Sequence, residues 1–206
     1  MIYKMLKRIA DLLSSLMLLL AISPIMIILA LLVRIKLGGP IFFKQKRTGK
    51  DMKPFYMIKF RTMTSAYDKD GNLLPDEDRQ TPFGIWLRNT SLDELPELFN
   101  IVKGDMSVVG PRPLPVLYDS FYTQRELNRF KVRGGLITPD CIDPNPMVSW
   151  DKQLEYEAEY GTDLTFSKDM KIFASVFRAL LSRNQADYGA VVRKPLNVER
   201  KTNNHE

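Results

Sequence analysis

The chain has 206 residues, enough for one domain of ordinary size plus a membrane element. Its single cysteine, Cys141, and single histidine, His205, exclude an internal disulfide and a zinc site of paired cysteines, and all but exclude histidine-based catalysis. The net charge of +6 is uneven: 12 Lys or Arg against 2 Asp through Met63, then 18 basic against 22 acidic residues. This basic excess flanks an apolar segment, so it points to membrane lipid and phosphate-rich substrates and not to nucleic acid.

Leu12 to Val33 is an apolar run of 22 residues without a charge, long enough to span a bilayer. Ser23-Pro24 lies at its middle, where the missing proline N–H interrupts the helical ladder and a serine hydroxyl can bond a freed carbonyl. Lys4, Lys7 and Arg8 precede the run and Arg34 and Lys36 follow it, and positive flanks prefer the cytoplasm. The residues leave two forms open, a re-entrant helix broken at Ser23-Pro24 and a kinked span.

Ile41–Lys46 and Phe55–Phe60 read as strands, with Thr48-Gly49-Lys50-Asp51 as the turn of a hairpin. Tyr67 to Gln80 is polar and acidic and reads as a loop. Leu92, Leu95, Leu98, Phe99 and Val102 recur at helical spacing and predict an amphipathic helix to about Lys103, ended by Gly104. Gly110-Pro111-Arg112-Pro113 forces an extended turn. Val116 to Val132 reads as a helix with a Leu/Phe/Tyr face. Ser149 and Ser167 read as N-caps of two further helices. In the second of these, Met170, Phe173, Phe177, Leu180 and Leu181 share a face bordered by Lys168, Lys171, Arg178 and Arg183. That pattern suits a membrane surface and a core-facing helix equally. The resulting organisation is α+β, with a membrane helix over 1–37, a catalytic domain over 38–183 and a flexible polar tail over 184–206.

Ser91-Leu92-Asp93-Glu94-Leu95-Pro96 has two readings. Ser91-x-x-Glu94 matches a capping box, and acids favour a helix start. Successive helical side chains point about 100° apart. Asp93 and Glu94 therefore also suit divided roles, one attacking or binding and the other holding a metal or a proton. A carboxylate at a helix N-terminus stays ionised, which suits a nucleophile for phosphorus. Phosphoryl chemistry needs cations around the non-bridging oxygens, and Lys59, Arg61, Arg88, Arg112 and Arg133 are the candidates.

Four pieces, in order, resemble the bacterial sugar transferases known as monotopic phosphoglycosyl transferases. They are the apolar N-terminus broken at Ser23-Pro24; Ile58-Lys59-Phe60-Arg61-Thr62-Met63; Ser91 to Asn100; and Lys103-Gly104-Asp105-Met106-Ser107-Val108-Val109-Gly110-Pro111-Arg112-Pro113. The likeness covers about residues 1–133, and the chain length suggests the small single-domain members. The resemblance implies a re-entrant helix with its break at Ser23 and Pro24, and a compact catalytic domain with interfacial helices at the cytoplasmic face of the bacterial inner membrane. It implies transfer of a phosphosugar from a UDP-sugar to undecaprenyl phosphate, with Mg2+, as the first step of assembling a glycoconjugate such as an O-antigen, a capsule or a glycoprotein glycan. Asp93 matches the nucleophile and Glu94 its partner, with the metal assigned to this dyad. Lys59, Arg88, Arg112 and Arg133 match positions expected near phosphates or the nucleotide sugar.

After Arg133 the chain departs from the family pattern. Family members continue with Pro-Gly-Ile-Thr-Gly-Trp-Ala-Gln and an Asn-Gly-Arg-Asn-like turn. Here Gly134 to Pro146 has lost the tryptophan and gained Asp140 and Asp143. Two acids in such a loop could bind an amino group on the sugar. The departure also raises an alternative, a catalytically impaired relative that binds polyprenyl phosphate or a partner transferase. The sequence names neither the sugar nor the oligomeric state, a homodimer included.

Overall fold

The computed structural model describes residues 2–145, 148–182 and 193–203, with the side chains of 177–182 and 202–203 outside the description. Helix α1 runs from Ile2 to Leu37. Its 36 residues at about 1.5 Å each reach roughly 54 Å, against about 30 Å of bilayer hydrocarbon. Pro24 lies inside it without ending it. The proline has no N–H for the carbonyl of Leu20, four residues back, and the Ser23 hydroxyl donates to that carbonyl at 2.9 Å. The local repair expected at Ser23-Pro24 is therefore made.

The chain forms two compact units: 1–11 with 46–55 and 104–206, and 12–45 with 56–103. In the second unit, Met26, Leu29, Val33 and Leu37 recur every three or four residues along α1 and bury against Phe60 and Leu87. Other positions of the apolar run, including Leu13, Met17, Leu20, Ile27 and Leu31, are exposed. Strands β1 (Phe42–Thr48) and β2 (Pro54–Phe60) pair as the expected hairpin. The 67–80 stretch is held by the Asp68 carboxylate, which accepts from the backbone of Asp70 and Asn72, and it closes with the short helix α2 (Asp76–Arg79). Helix α3 (Pro82–Asn89) starts at Thr81, whose hydroxyl accepts from Gly84 N.

The single helix expected over 92–103 is in two pieces. A 3-10 turn spans Leu92–Glu94, and α4 begins only at Glu97 and runs to Lys103. Ser91 sits in the left-handed region (φ 55, ψ 19), and its side chain makes no capping bond. Its N–H donates to Arg88 O at 3.0 Å. The capping box predicted from Ser91-x-x-Glu94 is therefore not formed. Asn100 on α4 ties this segment to β2: its side chain accepts from Ile58 N at 3.0 Å and donates to Tyr56 O at 2.8 Å.

In the first unit, β3 (Met106–Val109) and β4 (Gly134–Ile137) pair in parallel, Met106 opposite Gly134 and Val109 opposite Ile137. Gly110 and Gly135 let the backbones touch, since a Cβ on Gly135 would lie 2.0 Å from Gly110 N. The helix expected over 116–132 is replaced by two 3-10 turns, Val116–Phe121 and Glu126–Lys131. The break is a capping box at Thr123 and Glu126: Thr123 N donates to the Glu126 carboxylate at 2.7 Å, and Glu126 N to the Thr123 hydroxyl at 3.4 Å.

Helix α5 (Trp150–Thr162) starts at the predicted Ser149 cap. Helix α6 (Phe166–Ser182) starts before Ser167, with the Thr165 hydroxyl accepting from Lys168 N. On α6, Met170 and Phe173 are exposed while Ile172 is buried in a cluster with Val109, Val132 and Tyr160. Phe177, Leu180, Leu181, Arg178 and Arg183 lie outside the described side chains. The stretch read from sequence as a polar tail holds, where described, helix α7 (Leu196–Asn203). Leu196 is fully buried with Leu114, Tyr118, Trp150 and Leu154, the Trp150 indole donates to Lys194 O at 2.9 Å, and Arg200 pairs with Glu126 at 2.6 Å.

Candidate active site

Asp93 stands in the 3-10 turn between α3 and α4 and is 8% exposed. The left-handed Ser91 before it turns the chain sharply, which places Asp93 and Glu94 ahead of α4 instead of on its first turn. Burial pushes the Asp93 carboxyl above the ordinary carboxylate range; the Lys59 charge acts against this, Glu94 reinforces it, and Arg88 opposes it more weakly. A desolvated carboxylate of raised basicity is a better nucleophile once ionised.

Lys59, on β2, is held between two carboxylates: Nζ lies 2.6 Å from Glu94 Oε1 and 3.1 Å from Glu97 Oε1. Glu97 is itself nearly fully buried. Arg88, at the end of α3, is exposed, and its Nε donates to the Thr62 hydroxyl at 2.9 Å. Four predicted residues, Asp93, Glu94, Lys59 and Arg88, are thus brought together in one unit. Arg61 is turned to structural partners. It is buried, and its guanidinium donates to the carbonyls of Met63 (2.6 Å) and Gly39 and to the Ser65 hydroxyl.

Arg112 and Arg133 belong to the other unit. The Arg112 peptide is gripped on both sides: its N–H donates to Glu157 Oε1 at 3.0 Å, and its carbonyl accepts from Arg129. Arg129 and Glu157 form an almost wholly buried ion pair, 2.6 Å apart. The Arg112 side chain itself is exposed. Arg133 donates from Nε to Gly104 O at 2.7 Å.

Of the two acids in the divergent loop, Asp143 is occupied by structure. It accepts from Lys152 (2.5 Å), the Tyr156 hydroxyl (3.0 Å) and Asn145 N (2.8 Å), and the Lys152 bond holds its carboxyl below the usual range. Asp140 Oδ1 is buried with no hydrogen-bond partner among the described residues.

Among the described residues, no group of three or more His, Cys, Asp or Glu converges. Asp93 and Glu94 are the carboxylates that would hold a magnesium ion, with phosphate and water supplying its other oxygens, and Glu94 Oε1 is bound to Lys59. The sequence reading missed Glu97 and Asn100. Both lie in the Ser91–Asn100 motif, and their polarity on a face that also carries Leu98 and Ile101 was the available signal.

This geometry sets a carboxylate pair beside Lys59 and Arg88 in one unit. Residues 2–183 match the bacterial sugar transferase family, so the chain belongs to that family, and within it to the phosphoglycosyl transferase enzymes. A Bacillus subtilis (strain 168) protein named as the uncharacterized sugar transferase EpsL is 43% identical over 176 residues, 85% of this chain and 87% of that one. The UDP-glucose:undecaprenyl-phosphate glucose-1-phosphate transferase of Klebsiella pneumoniae is 35% identical over 189 residues, 86% of this chain and 41% of that one. The undecaprenyl-phosphate glucose phosphotransferase of Komagataeibacter xylinus is 43% identical over 195 residues, 86% of this chain and 36% of that one. The chain thus spans most of the first relative and about two fifths or less of the two longer ones.

Proposed function

We propose that the protein moves a sugar 1-phosphate from a UDP-sugar to undecaprenyl phosphate through a covalent intermediate on Asp93. The observation that carries this reading is the buried Asp93 carboxylate with Glu94, Lys59 and Arg88 around it. An Asp93 oxygen attacks the phosphorus that bears the sugar. The bond from that phosphorus to the UMP oxygen breaks, and UMP leaves with the electron pair. An oxygen of undecaprenyl phosphate then attacks the same phosphorus, and the acyl–phosphate bond breaks to restore the carboxylate. Lys59 and Arg88 keep positive charge beside Asp93 while negative charge grows on the phosphoryl oxygens. Glu94, ion-paired to Lys59, is placed to hold the metal or a proton. Bound Mg2+ would neutralise phosphate oxygens at the dyad.

Names of the relatives support the donor and acceptor classes, since two of them name undecaprenyl phosphate and one UDP-glucose. The apolar α1 supports membrane association; it is long and apolar enough to cross a bilayer. Within the proposal α1 is re-entrant, which keeps its basic flanks on the cytoplasmic face of the inner membrane. Cysteine labelling at positions 4 and 36 from each side would show equal, one-sided exposure; opposite exposure would make α1 a span. The chemistry is tested by intact mass. Incubation with a panel of UDP-sugars, without acceptor, leaves a phosphosugar adduct on the protein and releases UMP, and Asp93→Asn gives neither. Turnover by the folded Asp93→Asn protein would remove the assignment.

A further inference from the structure

A cleft of about 80 Å3, built wholly from the first unit, is lined by Lys4, Lys7 and Arg8 of α1, Lys50 from the hairpin tip, and Lys131 and Arg133 from the approach to β4. Asp11 is the one acid in this lining. Its carboxylate is engaged from the side, accepting from the Ser107 hydroxyl at 2.6 Å and Val108 N at 3.2 Å, with Lys7 at 3.8 Å. Lys7 in turn lies 2.8 Å from Asp169. The bond from Arg133 Nε to Gly104 O fixes that guanidinium at the cleft wall. Val109, Val132 and Leu164 supply apolar lining.

Six cations line this concavity against Asp11 in the lining, Asp169 beside Lys7 and Asp51 beside Lys50, and the remaining basic excess raises its potential because the concave, low-dielectric wall focuses the field. Their mutual repulsion disfavours the ligand-free protein, and a bound anion relieves it. A carboxylate ligand offers two oxygens and a single charge. A phosphate group offers more acceptors and up to two charges, and it matches guanidinium and ammonium donors arriving from several directions. We infer that this cleft is a binding site for a phosphate-bearing anion, in addition to the dyad site and independent of the role given to Asp93. Two sources share that chemistry: a phospholipid headgroup and a soluble phosphate or diphosphate. The lipid source has a foothold in the same unit, where Met5, Leu6, Ile9, Phe166 and Met170 are exposed apolar side chains.

The test uses the full-length protein in phosphatidylcholine nanodiscs, with thermal unfolding as the readout, since a ligand of the native state raises the midpoint. One arm adds sodium pyrophosphate at constant ionic strength, and the other replaces part of the phosphatidylcholine with phosphatidylglycerol. The wild type is expected to be stabilised in at least one arm. Stabilisation by phosphatidylglycerol alone assigns the lipid source, and by pyrophosphate alone the soluble one. Lys50→Gln/Lys131→Gln should weaken the apparent pyrophosphate affinity about tenfold, or remove the phosphatidylglycerol shift, because two charged donors are lost. Its midpoint without ligand should equal or exceed that of the wild type; if it fails to fold, Lys4→Gln/Lys131→Gln takes its place. Asp93→Asn should keep the wild-type response. No shift in either arm, an unchanged response in the lysine variants, or loss of the response in Asp93→Asn would each overturn the inference.

Discussion

At the scale of single residues, Asp93 combines burial with a charge that chemistry requires, and the two pull in opposite directions. Burial raises its folded-state carboxyl above the ordinary value of about 3.9, so the ionised form costs stability that an unfolded chain does not incur. The sign follows directly: the cost is absent below the unfolded value, where both states are protonated, grows through the interval up to the folded value, and is full above it. Asp93→Asn should therefore melt higher than the wild type at pH 7, with the gain fading as the pH falls toward about 4. A constant difference across that range would mean that ionisation is not its source. Lys59 opposes the same shift and separates Glu94 from the buried Glu97. Lys59→Met should cost about 2–3 kcal/mol in denaturant unfolding, because two neighbouring carboxylates lose their shared cation. In any residual activity, the acid limb of the kcat/KM profile should move to higher pH, since the charge that lowers the Asp93 value has gone. An unmoved limb with the stability loss would leave Lys59 a purely structural role.

At the scale of elements, what could be read from the sequence depended on whether the local signal was also the one the backbone used. The hairpin was legible because polar turn residues separate two aromatic, β-branched runs, although its left-handed positions are Asp51 and Met52, and the start of α5 because Ser149 sits where a cap is needed. Two Ser/Thr-x-x-Glu signals traded places: Ser91-x-x-Glu94 reads as a cap and is not one, while Thr123-x-x-Glu126 lies inside an apparently periodic helix and caps a new turn. Sequence spacing is the same in both; the difference is in the backbone, since Ser91 is left-handed and its N–H donates to Arg88 O, whereas Thr123 N is left for the Glu126 carboxylate. Helix α7 was missed because its polar composition hides one fully buried leucine, Leu196, and the indole of Trp150 that accompanies it. The carboxylate dyad and its Lys59 and Arg88 neighbours were legible from motif order. Glu97 and the Arg129–Glu157 grip on the Arg112 peptide were not, since both are set by tertiary packing. The Ser23-Pro24 repair can be tested as a coupled pair. Ser23→Ala removes the hydroxyl donor to the Leu20 backbone carbonyl in an apolar setting and should cost about 1–2 kcal/mol. In a Pro24→Ala background, where residue 24 again has an N–H for that carbonyl, the same change should cost under about 0.5 kcal/mol. Equal costs in both backgrounds would mean that the hydroxyl is not compensating for the proline.

At the scale of the whole molecule, two forces can hold the protein to a membrane, and they differ in how salt affects them. The basic flanks of α1, Lys4, Lys7, Arg8, Arg34 and Lys36, attract anionic lipid with about 1 kcal/mol each near the surface. That contribution falls when the screening length shrinks from about 10 Å at 0.1 M salt to about 3 Å at 1 M. The 22 uncharged residues from Leu12 to Val33 contribute differently. Each Leu, Ile, Val or Phe at the centre of a membrane helix favours insertion by roughly 0.3–0.6 kcal/mol, and the run is rich enough in them to reach on the order of 5–8 kcal/mol. Salt does not weaken this part, because it arises from removing apolar surface from water. The stripe formed by Met26, Leu29, Val33 and Leu37 is buried by protein, while Leu13, Met17, Leu20, Ile27 and Leu31 are exposed and available to lipid. Apolar insertion should therefore dominate at every ionic strength. Washing membranes with 1 M sodium chloride is expected to leave the protein in the pellet, and a mild detergent to release it. Replacing Leu20 and Ile27 by lysine should move a large share into the salt-wash supernatant, since each charge at the centre of the helix costs about 3 kcal/mol. Release of the unmodified protein by salt alone would make the basic flanks the anchor and would remove the apolar run from that role.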